Sequence, residues 1–240
     1  MKKQLVISYS GGLSSAYMTW LLLNNLDRSE WEIAVIFANT GKEREETFQF
    51  ILDCDKYFQF NTIWVEAVIN PERGMGTRHK VVDYHTASRN GEPFEQMILK
   101  YGIPNIRCKV CTRELKINAI RSYAKNYLGW KKFYTAMGIR ADEARRVDKH
   151  HEKRRFLYPL VTDYTATRID VNKFWLAQPF TLGLKSYQGN CDFCFEKSDR
   201  KLITLCKEAP GDTRWWADIK HTGSEKSAKK ILKKTTPKNT

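Results

Sequence analysis

Short apolar runs alternate along the chain with longer mixed segments. Leu5-Val6-Ile7-Ser8-Tyr9 is the first run. Ser10-Gly11-Gly12-Leu13-Ser14-Ser15 follows it, and closely spaced apolar positions then run from Ala16 to Leu26. The pattern predicts strand, glycine turn and helix. A second run, Ile33–Ala38, ends in Asn39-Thr40-Gly41 and precedes a helix over Glu43–Phe58, with Phe48, Ile51, Leu52 and Tyr57 on compatible faces. Thr62–Ile69 reads as a third strand, Thr112–Leu128 as a helix, Lys132–Met137 as a fourth strand and Phe156–Val161 as a fifth. Asp170 is the N-cap candidate of a helix ending near Ala177. Strands alternating with helices predict an α/β, Rossmann-like parallel sheet covered on both faces.

The pattern breaks between residues 70 and 106. Pro71, Gly74, Gly76, Gly91, Pro93, Gly102 and Pro104 punctuate this stretch, and Arg73, Arg78, His79, His85 and Arg89 make it basic. A connection of that length is expected to be functional or mobile. No internal repeat is visible. The expected organisation is an α/β domain over 1–165, a helical cysteine-bearing segment over 166–213 and a flexible basic tail over 214–240.

Charge narrows the partners. The 240 residues carry 41 Lys and Arg against 27 Asp and Glu, a formal net charge of +14, which favours anionic ligands such as nucleotides, phosphate or sulfate esters, or nucleic acid. Trp215-Trp216 beside the basic tail is the aromatic pair to test against nucleic acid. The longest apolar stretch, Ala16–Leu23, falls short of the ~20 residues that span a bilayer. Lys2 and Lys3 precede an apolar run too short for a signal-peptide core. These features predict a cytoplasmic protein with no membrane partner.

The first strand-to-helix turn carries the clearest chemistry. Small residues there leave backbone N–H groups free at the helix start, and with Ser hydroxyls these form an anion cradle. The turn lacks the Gly-Lys-Ser/Thr ending of a Walker loop and the spacing of G-x-G-x-x-G. Cysteines add a second signal. Without a secretory segment, Cys108-x2-Cys111 and Cys191-x2-Cys194 point to metal or redox chemistry rather than to disulfides. Four thiolates suit tetrahedral zinc or a [4Fe–4S] cluster, and the 79 residues between the pairs mean that a metal would tie distant segments together. Cys54 and Cys206 sit in apolar helix-like runs and read as core cysteines.

Ser10-Gly11-Gly12-x-Ser14-Ser15 resembles the PP-loop of the ATP-pyrophosphatase superfamily, whose fold is adenine nucleotide alpha hydrolase-like. Within it, the chain is similar to the phosphoadenosine phosphosulfate (PAPS) reductase-like branch found in phages and bacteria. Phe37-Ala38-Asn39-Thr40-Gly41-x-Glu43-x-x-Glu46-Thr47 resembles the branch's second-strand motif. Cys111-Thr112-Arg113-Glu114-Leu115-Lys116 resembles its Cys-x-x-Arg-Lys segment in type. Gly138-Ile139-Arg140-Ala141-Asp142-Glu143-Ala144-Arg145 resembles its substrate-anion arginine segment, and Tyr158-Pro159-Leu160 with Asp170-Val171 its Pro-Leu…Asp-Val stretch. The resemblance spans about residues 5–200.

It implies an adenine nucleotide with Mg²⁺ held by Ser8, Ser10, Gly11, Gly12, Ser14, Ser15, Asn39, Thr40 and Gly41. Ser14, Arg140 and Arg145 are the catalytic candidates, and Arg78, Arg113 and Lys116 the substrate-binding ones. Cys108, Cys111, Cys191 and Cys194 resemble the cluster ligands of adenylylsulfate (APS) reductases, although there the first pair is adjacent. Two departures shape the expectation. Leu13-Ser14 stands where the superfamily has Lys-Asp, leaving Arg140, Arg145 or Lys42 to neutralise phosphate. No cysteine follows Cys206 to serve as the mobile C-terminal nucleophile of a reductase. The expected activity is therefore adenylylation of the ATP-pyrophosphatase type coupled to sulfur transfer, with a sulfur-donor protein and tRNA or DNA as partners. A true PAPS or APS reductase, and a non-catalytic nucleotide- or nucleic-acid-binding module, are the alternatives.

Overall fold

In the computed structural model, residues 2–72 and 74–219 are described. The expected Rossmann-like α/β fold is present. A six-stranded sheet has the order β4-β3-β2-β1-β5-β6, built from β1 (Lys3–Ser8), β2 (Trp31–Asn39), β3 (Ile63–Ile69), β4 (Thr77–Val82), β5 (Tyr134–Met137) and β6 (Phe156–Leu157). All neighbours pair in parallel except β3 and β4, which are antiparallel. Leu5, Val6 and Ile7 are each fully buried, as a strand covered on both faces requires.

One face packs against α1 (Leu13–Asn25), α2 (Glu45–Phe58) and α6 (Arg168–Leu176), around Leu5, Ile7, Met18, Phe48, Phe50 and Trp175. Trp175 Nε1 donates to the Leu13 carbonyl at 3.0 Å, fixing α6 to the start of α1. The other face packs against α3 (Glu92–Tyr101), a π-helical stretch over Thr112–Asn118 and α4 (Ala119–Asn126), around Val6, Ile36, Val65, Met97 and Leu115. A short 3-10 turn (Ala141–Arg146) and α5 (His151–Arg154) link β5 to β6. The C-terminal segment continues through α7 (Asp199–Glu208) into helical residues 210–219. Trp215 and Trp216 pack on the second core. The expected tail therefore starts as helix over 214–219, and its remaining residues lie outside those described, as does Arg73.

Several expectations are corrected. The 70–106 stretch is not a bare connection, since it holds β4 and α3. Thr112–Leu128 is not one α-helix: its first seven residues are π-helical. The strand at 156 stops at Leu157, because Pro159 lacks an N–H and the chain turns, Val161 N bonding to the Tyr158 carbonyl. Thr167 rather than Asp170 caps α6. Asp170 stands three positions on and accepts from the Thr167 backbone N–H at 2.8 Å, a capping box. Cys54 is buried and its thiol is pushed up to about 12, chiefly by burial. Cys206 is exposed: Leu205 takes the inward position of α7, and the next residue turns about 100° away.

Candidate active site

The strand order reverses at β1, with β2 on one side and β5 on the other, and such a switch point opens a crevice at the C-terminal strand ends. Ser10–Ser15 fills its edge. Gly11 has φ +71°, and a Cβ there would lie 2.5 Å from Thr47 Cγ2, so the turn needs glycine. Gly12 is the N-cap of α1, and the first helical bond runs from Ala16 N to the Gly12 carbonyl at 2.9 Å. The amides before Ala16 thus have no partner within the helix. Ser15 Oγ organises the loop. It donates to the Gly12 carbonyl at 2.9 Å, accepts from Ser10 N at 3.2 Å and Gly12 N at 3.3 Å, and lies 2.9 Å from Ser10 Oγ.

Arg140 reaches the loop from the end of β5. Its guanidinium donates to Ser14 Oγ at 3.0 Å and to both Asp142 oxygens at 2.9 and 3.1 Å. Beside it, the Asp142 carboxyl is held below its usual range, first by the Arg140 hydrogen bond. Gly138 permits this approach, since a Cβ there would sit 2.7 Å from Ser15 Cα. Arg145 is exposed on the 3-10 turn, and its side chain makes no hydrogen bond or ion pair with a described residue.

Asn39, Thr40 and Gly41 form a buried, internally bonded loop after β2. Asn39 donates to Glu66 Oε1 at 2.6 Å and to the Ser88 carbonyl at 2.8 Å, and accepts from Gly41 N at 2.9 Å. Glu43 binds Thr40 N at 2.8 Å and Thr40 Oγ1 at 2.9 Å. Burial pushes the Glu43 carboxyl up, opposed by Lys116, whose Nζ lies 3.8 Å away.

The second cysteine pair is zipped onto this loop. Asp192 N bonds to the Lys42 carbonyl and Arg44 N to the Asn190 carbonyl, each at 2.8 Å, and Glu43 and Cys191 form a β-bridge. Lys42 Nζ pairs with Asp192 at 2.8 Å, both side chains under one-tenth exposed, and lies 4.6 Å from the Trp215 ring centre. Trp216 Nε1 donates to Asp192 at 2.9 Å. Asn190 Nδ2 donates to the Ser10 carbonyl, so the cysteine loop touches the glycine turn directly. Lys42 is thereby committed to Asp192.

Residues 4–156 match the phosphoadenosine phosphosulfate reductase domain. The chain belongs to that family. One relative, the uncharacterized nin region protein ORF290 of Escherichia phage lambda, is 32% identical over 217 residues, covering 89% of this chain and 73% of its own length. The PAPS reductase domain thus spans β1 to the start of β6, and the second cysteine pair follows it. Among the described residues, no helix is long and apolar enough to cross a membrane.

In this PAPS reductase family member, Cys111, Cys191 and Cys194 share a half-buried neighbourhood. Burial raises the Cys191 thiol first, with the charges of Glu43, Asp192 and Cys194 adding to it, and burial likewise raises the Cys111 thiol, which Cys194 also pushes up; Lys116 opposes both shifts. Cys108 is exposed. The donors fit a thiolate-bound centre in kind. Yet among the described residues no three His, Cys, Asp or Glu side chains converge on one metal position.

Other candidates lie elsewhere. Ser8 faces away from α1, on the side of Val6, and lines a groove beside α4. Arg78 is exposed on β4, three strands from β1 and so about 14 Å away. Arg113 donates to Glu114 at 2.7 Å. Burial pushes the Glu114 carboxyl up, but hydrogen bonds from Thr77, Asn118 and Arg113 outweigh it and leave it lowered. Glu66, Asn190 and Asp192 are missed by the sequence reading. Glu66 alone carries a sequence signal, a carboxylate inside the apolar run Ile63–Ile69.

Proposed function

We propose that this PAPS reductase family protein binds an adenine nucleotide with Mg²⁺ at the Ser10–Ser15 loop and performs ATP-pyrophosphatase adenylylation coupled to sulfur transfer. The supporting observation is the loop at the β1 switch point, with Arg140 fixed on Ser14. Free amides at the α1 start suit phosphoryl oxygens, and Arg140 supplies the charge that Leu13-Ser14 lacks. Asp142 and Ser14 hold that guanidinium in place before the nucleotide arrives. ATP is expected to yield pyrophosphate, whereas PAPS or APS with thioredoxin is expected to yield no sulfite. Sulfite release would instead make the protein a reductase.

Gly12→Val tests the loop. Gly12 has φ −101° and ψ 158°, so its backbone accepts a side chain. A Cβ there points at the Asn190 amide, 3.3 Å away. ATP binding, measured by calorimetry, should weaken about 100-fold or more, equal to about 2.7 kcal/mol, while the melting temperature moves by only a few degrees. Unchanged ATP affinity would reject the loop as the phosphate site.

The four cysteines are proposed ligands of a [4Fe–4S] cluster, with zinc the second choice, which would supply sulfur-handling chemistry or a structural clamp. Anaerobically purified protein should carry iron or zinc, and Cys191→Ser should lose it. Wild-type protein with neither metal would end this assignment.

A further inference from the structure

A second concave site lies beside α4, on the face of the sheet opposite α1. Ser8, Thr135 and Met137 form its floor, from β1 and β5. Its walls carry six cations: Arg121 and Lys125 on α4, Lys131 and Lys132 before β5, and Arg154 and Arg155 before β6. No Asp or Glu lines it. Among the described residues only Arg154 has a carboxylate within ion-pairing distance, Asp148 at 2.6 Å. Arg155 instead lies over the Tyr134 ring, 5.4 Å from its centre.

Such a cluster is unfavourable to leave unneutralised. Six like charges around one groove repel each other, and the sheet below provides no counter-charge. Elsewhere on this chain several cations are held by carboxylates, as with Lys42–Asp192, Arg89–Glu45 and Arg140–Asp142. Here the excess is concentrated on three separate segments that the fold brings to one rim. Five of the six side chains are exposed and only Arg155 is half-buried, so they are spread along the rim rather than converging on one point. That distribution suits a polyanion with successive charges better than one small phosphate ester. The groove is narrow, with a cavity volume of about 170 Å³ between helix and sheet. A cavity of that size cannot take in a duplex, whereas successive phosphates of a single strand can lie along its rim.

We infer that the groove between α4 and β5–β6 is a docking surface for single-stranded nucleic acid, held through its phosphates by Arg121, Lys125, Lys131, Lys132, Arg154 and Arg155. The floor reaches Ser8 and Met137, the last residues of β1 and β5, and the next residues of both strands lead into the glycine turn and Arg140. The cations before β5 and β6 stand at the N-terminal ends of these parallel strands, so a bound nucleic-acid strand reaches the nucleotide site by running along this floor to the C-terminal ends. In that role, as acceptor for the chemistry proposed above, the surface rests on that reading; the binding itself does not.

The test uses the full chain and a labelled single strand of about 20 nucleotides, as DNA and as RNA, with the matching duplex alongside. Affinity is measured across a salt series. The triple variant Lys125→Gln/Lys131→Gln/Lys132→Gln is compared with Lys56→Gln/Lys173→Gln/Lys207→Gln, which removes the same charge from α2, α6 and α7. For the groove triple, the slope of log affinity against log salt should fall by about 2, since each phosphate contact on a single strand contributes about 0.7. The control triple should leave the slope nearly unchanged. The DNA and RNA arms identify which strand is preferred. Equal losses in both triples, no loss in the groove triple, or binding of the duplex alone would overturn the assignment. ATP affinity, read in the same preparations, should be unaltered in both triples. ATP binding absent with strand binding intact would reject the nucleotide reading while leaving the groove standing.

Discussion

Replacing Lys42 with methionine is expected to destabilise the protein by about 3–5 kcal/mol, the range for removing one partner of a buried ion pair. The Lys42–Asp192 pair is 2.8 Å long, and neither side chain exceeds one-tenth exposure. Methionine matches the length of the lysine stem but leaves the Asp192 carboxylate with Trp216 Nε1 as its side-chain donor. An uncompensated buried carboxylate is not tolerated, so the segment that carries it should move to water. That segment is the cysteine loop, held by the backbone bonds from Asp192 to Lys42 and from Arg44 to Asn190. The expected readout is a lower melting temperature together with faster amide exchange across residues 188–196. Lys42→Met/Asp192→Leu should recover most of the loss, because two apolar groups desolvate at little cost. A single variant within 1 kcal/mol of wild type would show that water already reaches the pair.

The same contacts explain which parts of the molecule are legible in sequence. The glycine turn is contiguous: Ser10, Gly11, Gly12 and Ser15 are neighbours in the chain and in the fold, and their hydrogen bonds span no more than five residues. The first three strands are apolar on both faces, a pattern that survives any tertiary context. By contrast, β4 is an edge strand, Thr-Arg-His-Lys-Val-Val, whose exposed charges hide its pairing to β3. Helix α3 does show Phe94, Met97 and Ile98 at helical spacing, but Gly91, Pro93 and Gly102 at its ends read as breakers when they are its cap, its first turn and its stop. The cysteine latch is illegible for another reason. Arg44 and Asp192 are 148 residues apart, and no local periodicity announces a lysine buried to meet a distant aspartate.

Glu66 offers the second large effect. The carboxylate is fully buried at the middle of β3, opposite Asn39 at the end of β2, and accepts from Asn39 Nδ2 at 2.6 Å, Ser88 N at 2.5 Å, Ser88 Oγ at 2.9 Å and Lys80 Nζ at 2.8 Å. Three of those donors lie on segments that would otherwise be loose ends, the Asn39 loop and the chain around Ser88. Glu66→Ala leaves one Asn39 side-chain N–H and the Ser88 backbone N–H without an acceptor beside a cavity, while the other Asn39 N–H keeps the Ser88 carbonyl. Each buried donor left unmade costs about 1–3 kcal/mol, so the total should reach about 3–5 kcal/mol. The Asn39 side chain also shapes the next turn by accepting from Gly41 N, so its release should loosen the Asn39-Thr40-Gly41 loop. On the nucleotide reading, ATP affinity then falls about tenfold or more, although Glu66 touches no ligand. Glu66→Gln separates positioning from bulk stability. Its carbonyl can still accept from Asn39 and Ser88, and Lys80, whose side chain is half exposed, can turn to water. The glutamine variant should therefore regain most of the nucleotide affinity while losing only the charged contact, about 1.5–3 kcal/mol. Equal ATP affinity in wild type and Glu66→Ala, measured below the melting transition of both, would show that the loop keeps its shape without the buried carboxylate.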